Sequence, residues 1–115
     1  MALVWLAAVL AARIAEAHAF LEHAVPSVGS TVTAAPREIR IYFSEPIEPA
    51  FSAITLAAAD GRPVRTGAAA VDPADHAQFV LLLPPLPPGR YRVSWHVVSV
   101  DTHRTEGNFT FEIKP

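Results

Sequence analysis

Five histidines, eleven acidic side chains and no cysteine in 115 residues restrict the chemistry open to this chain. Without thiols there is no disulfide, thiolate zinc site, iron–sulfur cluster, blue-copper centre or cysteine nucleophile. Two histidines stand out by position. His103 closes the triplet Asp101-Thr102-His103. On an extended backbone residues two apart face the same way, so the triplet offers one carboxylate and one imidazole to a shared ion. The competing reading is a polar turn after a strand, with Asp101 capping backbone amides and His103 in solvent. His18 follows Ala15-Glu16-Ala17, whose small side chains suit the narrow pockets of signal peptidase. Cleavage there leaves His18 with a free α-amine that closes a chelate ring with its own imidazole Nδ1, which no internal histidine can do. Both nitrogens release protons to a strong Lewis acid near neutral pH. Nitrogen ligands in a tetragonal arrangement suit Cu(II) best among common divalent ions.

The remaining candidates read more simply. His96 lies on the strand face opposite Trp95, and His23 is expected to face solvent on a first strand. His76 follows Asp75 in a Pro/Ala/Asp loop with Asp72, at most a weak cation attractor. Asn108-Phe109-Thr110 matches a glycosylation triplet but falls inside a predicted strand. Ser44, Ser94 and Ser99 lie in strand or motif contexts with no glycine-flanked elbow, so no serine nucleophile is supported.

These side chains must be held by some framework, and the chain supplies one of short strands. Residues 1–12 form an uninterrupted apolar stretch, shorter than the roughly 20 residues that span a bilayer, so residues 1–17 read as a secretory signal peptide and residues 18–115 as one domain. An uncleaved amino-terminal anchor is the alternative, because no Lys or Arg precedes the apolar run. Ile39, Ile41 and Phe43 alternate with polar neighbours, as do Tyr91, Val93, Trp95 and Val97, and then Phe109, Phe111 and Ile113; this period of two marks half-buried strands. Residues 19–25, 51–57 and 78–83 supply three more. Turn signals separate them at Pro26–Ser30, Asp60-Gly61-Arg62-Pro63 and Asp72-Pro73, and at the proline-rich run 84–89, which cannot donate to a ladder. The fold class is all-β, a small antiparallel sandwich or Greek-key barrel.

His18-Ala19-Phe20-Leu21 with Pro26-x-x-Gly29-Ser30 is followed by Phe43-Ser44-Glu45-Pro46-Ile47-Glu48-Pro49. Gly89-x-Tyr91-x-Val93-x-Trp95-x-Val97-Val98-Ser99-x-Asp101-x-His103 and Gly107-x-Phe109-x-Phe111 complete the series. In this order, over residues 18–115, the sequence resembles the CopC-like periplasmic copper-binding proteins of bacteria. The resemblance implies an immunoglobulin-like barrel of about seven strands. It also implies a Cu(II) site, one ion per chain, built from His18, Asp101 and His103, with Glu45 close by as a weak ligand or as an acceptor behind the ligands. The family commonly carries glycine where Thr102 stands, and a backbone of positive φ there would strain a threonine. Some members add a methionine-rich Cu(I) site. The single methionine here is Met1, which cleavage removes, so no thioether site is expected.

The expected function is a secreted, periplasmic Cu(II)-binding monomer that sequesters or carries copper in homeostasis or resistance, and not an enzyme. By resemblance its partner is an inner-membrane transporter of the CopD type. Two other readings stay open: a histidine-brace copper oxidase or monooxygenase, disfavoured by a carboxylate at Asp101, and a metal-free immunoglobulin-like interaction module. Nucleic acid is excluded as a partner, because a net charge of −2 without any basic run cannot displace counterions from phosphates.

Overall fold

The structure, a computed structural model, describes residues 20–115. The alternating segments form strands as expected, and they assemble into two four-stranded sheets packed face to face. One sheet has the order β1 (Leu21–Val25), β3 (Glu38–Phe43), β6 (Asp75–Leu82), β5 (Ala70–Asp72), with antiparallel pairing throughout. The other has the order β2 (Thr31–Val32), β8 (Arg104–Ile113), β7 (Gly89–Val98), β4 (Ala53–Ala58), in which only the β2–β8 pair is parallel. The chain changes sheet repeatedly, and this Greek-key-like routing leaves no element able to bury its apolar face alone. Among the described residues there is no α-helix, only the 3-10 turn Pro49–Phe51.

Period-two burial is clearest in β7, where Tyr91, Val93, Trp95 and Val97 point inward and Arg92 and His96 outward. Its partner β8 turns Phe109, Phe111 and Ile113 into the same core, where they meet Ile39, Ile41, Phe43, Phe79 and Leu81 from the opposing sheet. Gly107 faces Trp95 across the β7–β8 pair, and a Cβ built at Gly107 would lie 2.7 Å from the indole ring. The glycine is there because the ring occupies the place of its side chain. Tyr91, largely buried, donates its hydroxyl to the carbonyl of Pro87 at 2.6 Å, tying the proline-rich connection to the sheet.

Several boundaries differ from those expected of the sequence. Eight strands form rather than about seven, because β2 and β5, only two and three residues long, show no alternation to detect. Phe51 is not in a strand: Pro49 starts a 3-10 turn, β4 begins at Ala53, and the Phe51 ring is 67% exposed. Asp75 and His76, expected in a loop, open β6, because the turn at Pro73-Ala74 is tight enough for Asp72 to pair with Asp75.

Candidate metal centre

The five-residue connection from β7 to β8, Ser99 to His103, carries both members of the D-x-H triplet. Thr102 N–H donates to Ser99 O at 2.9 Å and Ser99 N–H donates to His103 O at 2.9 Å, the pattern of a hairpin loop closed by a bulge whose last loop residue is left-handed. Thr102 fills that position with φ of 67°, the one non-glycine positive φ among the described residues. The backbone through the triplet is therefore not extended, and a turn rather than strand alternation presents Asp101 and His103. The positive φ anticipated for a glycine site is present, occupied by a threonine.

The opposite wall is the segment that leaves β3 for the other sheet. Ile47 pairs with Ser99 in an isolated antiparallel bridge, Val100 N–H donates to Pro46 O at 3.0 Å, and Glu48 N–H donates to Val98 O at 2.8 Å. These bonds lock the Phe43–Glu48 segment to the hairpin and bring Glu45 to His103, 58 positions apart in sequence. His103 Nδ1 lies 3.0 and 3.2 Å from the two carboxylate oxygens of Glu45. A carboxylate can only accept, so Nδ1 carries the proton, and the neutral ring keeps its lone pair on Nε2. Glu45 is 25% and His103 67% exposed at the side chain, so the acceptor is recessed and the imidazole stands open to solvent. The Glu45 carboxylate raises the His103 pKa by hydrogen bonding and charge, and the nearby charge of Asp101 adds to the effect.

His18 and the expected leader, residues 1–17, lie outside the described residues. The described chain enters at this same rim: Ser44 N–H, next to Glu45, donates to Phe20 O at 2.8 Å, and the Phe20 and Phe43 rings pack with centroids 5.3 Å apart. Among the described residues no three His, Asp or Glu side chains gather tightly enough to hold a metal ion. What they do bring together is Glu45 with His103, with exposed Asp101 two positions before it in the same loop.

The other histidines are placed elsewhere. His23 stacks on Tyr42 with ring centroids 3.9 Å apart on an exposed face, as expected for a solvent-facing residue. His96 is exposed on the outer face of β7 opposite Glu106. Asp72 is taken up by Arg40 at 2.8 Å in a network with Glu38 and Gln78, and Asp75 caps the amide of Ala77. Asn108 accepts from Arg92 within the β7–β8 ladder. Ser99 was weighed in the sequence only as a nucleophile and set aside, and its structural task was missed. It continues the inward positions 91, 93, 95 and 97 of β7, and a hydroxyl falling on the core face was the available sign of a structural task.

The CopC domain profile matches residues 21–114. Protein YobA of Escherichia coli (strain K12) is 41% identical over 99 residues, spanning 85% of this chain and 80% of YobA. The crystal structure of CopC from Methylosinus trichosporium OB3b superposes with a TM-score of 0.79 at 33% identity, covering 85% of this chain and 95% of that one. PcoC, a methionine rich copper resistance protein from Escherichia coli, superposes with a TM-score of 0.75 at 39% identity, covering 85% and 100%. A matching profile, a relative of similar length and solved structures with the same two-sheet fold all agree: the chain belongs to the CopC family.

Proposed function

We propose that this chain binds one Cu(II) ion outside the cytoplasm and sequesters or carries it, without catalysing a reaction on it. The observation that carries this reading is the Glu45–His103 pair, at the rim where the chain arrives through Phe20. An imidazole whose Nδ1–H is held by a carboxylate presents Nε2 in a fixed direction, the arrangement by which proteins orient metal-binding histidines. His18 lies two positions before Phe20 in the sequence, and Phe20 is held to Ser44, the neighbour of Glu45, which supports a shared ion between His18 and His103. The ligand set is then the α-amine and imidazole of His18, Nε2 of His103 and the carboxylate of Asp101, with Glu45 orienting His103 from behind.

Nitrogen-rich donors with one carboxylate favour Cu(II) over softer Cu(I). The only methionine is Met1, in contrast to methionine rich PcoC, which supports a single centre. Residues 1–17 act as the signal peptide, residues 18–115 form the copper-binding domain, the location is the periplasm, and the protein works as a monomer. An inner-membrane transporter of the CopD type is the fitting recipient. A Cu(II) titration followed by EPR on protein beginning at His18 tests the reading. One equivalent with a tetragonal, nitrogen-rich signal is expected, weakened at least about tenfold by His103→Ala, the effect of losing one ligand from a strong site. Equal binding by both proteins would remove His103 from the centre and the reading with it.

A further inference from the structure

Ser99 is fully buried, the one polar side chain so placed among the described residues, and every polar group it offers is committed to the hairpin loop. Its carbonyl accepts from Thr102 N–H and its N–H donates to His103 O, both at 2.9 Å, while its hydroxyl accepts from His103 N–H at 3.1 Å. These bonds span the loop that bears Asp101 and His103. Inside the loop Thr102 holds φ of 67°, a conformation that a β-branched side chain disfavours and that persists only where surrounding contacts over-determine it. The Thr102 hydroxyl donates to Asp101 O, a local bond that does not reach the body of the protein. The bridge from Ile47 to Ser99 does reach it, anchoring the clamp to the segment that carries Glu45.

We infer that Ser99 is a positioning residue for the metal centre: its hydroxyl and backbone hold Thr102 in the left-handed conformation, and so fix where Asp101 and His103 point. The inference rests on the centre proposed above. Without the hydroxyl, His103 N–H loses its partner and Thr102 is free to relax toward the right-handed or extended region, carrying the ligands on either side of it out of register. With glycine at 102 the left-handed conformation needs no enforcement. The two positions must therefore be coupled, and glycine at 102 must rescue the loss of the Ser99 hydroxyl.

The test is a double-mutant cycle on protein beginning at His18, read by competitive Cu(II) titration and by the EPR hyperfine pattern, with His103→Ala alongside. Ser99→Ala is expected to weaken Cu(II) binding about tenfold and to broaden or split the EPR signal, the consequence of freeing about one backbone residue next to the ligands. Thr102→Gly is expected to keep the affinity within about threefold and to raise the melting temperature by about 5 °C, as relief of left-handed strain should. Ser99→Ala combined with Thr102→Gly is expected to bind like Thr102→Gly alone. A merely structural Ser99 would lower the melting temperature equally with either residue at 102 and leave affinity and EPR unchanged, which would overturn the inference. Should His103→Ala weaken binding while Ser99→Ala does not, the clamp fails and the centre survives. Should His103→Ala change nothing, the centre fails and takes the clamp with it.

Discussion

At the scale of single residues, the contact on which the proposed centre rests is the pairing of the Glu45 carboxylate with His103 Nδ1. It has opposite consequences for protons and for metal. By stabilising the imidazolium, Glu45 raises the His103 pKa, so in the metal-free protein the pair contributes stability that is fully present below the unfolded histidine pKa and is lost as pH rises through the elevated folded value. In the proposed centre metal binding runs the other way, because an ion on His103 must displace its second proton, so Cu(II) affinity is expected to fall as pH drops through that same elevated value. Glu45→Gln removes the charge and should move the His103 titration to lower pH, with copper retained to correspondingly lower pH. Proton NMR of the imidazole in the metal-free protein, together with Cu(II) titrations over a pH series, checks both. An unmoved His103 titration would show that the carboxylate does not act on the ring. The triplet Asp101-Thr102-His103 was visible in the sequence but its turn geometry was not, since the spacing argument assumed an extended backbone, and Glu45 entered only through the family motif; the Glu45–His103 contact was not legible. It joins positions 58 apart through a sheet crossing that no local pattern records.

At the scale of elements, the β7–β8 hairpin does the positioning, and its sequence shows why it forms. Ten paired residues alternate so strictly that a slip of one position would turn Tyr91, Val93, Trp95 and Val97 to solvent. That constraint fixes the register up to the loop, and hence the place of Ser99 and His103. Gly107 is its most sensitive point. Gly107→Ala would drive a methyl into the Trp95 indole, and overpacking of this kind costs about 1–3 kcal/mol. Thermal unfolding should show the melting temperature falling by several degrees, with a shifted Trp fluorescence maximum; an unchanged melting temperature would mean the indole has room to yield. Long alternating strands were readable because each repeats its pattern over several pairs. β2 and β5 were not, since strands of two and three residues contain no period. The start of β6 was hidden for another reason. Asp72, Pro73 and Asp75 carry turn chemistry, but only Pro73-Ala74 is spent on the turn, and the ladder reclaims Asp75 and His76.

At the scale of the whole molecule, a domain without cysteines depends on its core and on anything that binds only the folded state. The core is continuous across both sheets, with Phe79 and Phe111 fully or nearly fully buried. Phe111→Ala should cost about 3–5 kcal/mol, enough to leave the metal-free domain marginal. A ligand confined to the folded state offsets such losses by mass action, about 2.7 kcal/mol at a free concentration one hundred times its dissociation constant. Cu(II) at that free excess should therefore raise the melting temperature by about 10 °C or more, and a chelator should reverse it. An unaltered melting temperature would favour a metal-free interaction module over a copper protein. The family and the two-sheet architecture were both readable in the order of motifs along the chain, because those motifs are the alternating strands and the turns between them. In the proposed centre, cleavage before His18 supplies one half and His103, Asp101 and Glu45 the other. The most direct measurement is a Cu(II) titration with EPR of protein beginning at His18, beside the same protein with one alanine placed ahead of it. One tightly held ion with a nitrogen-rich signal is expected for the first, and loss of that site for the second, whose free amine has moved off the histidine. Equal binding by the two proteins would contradict it.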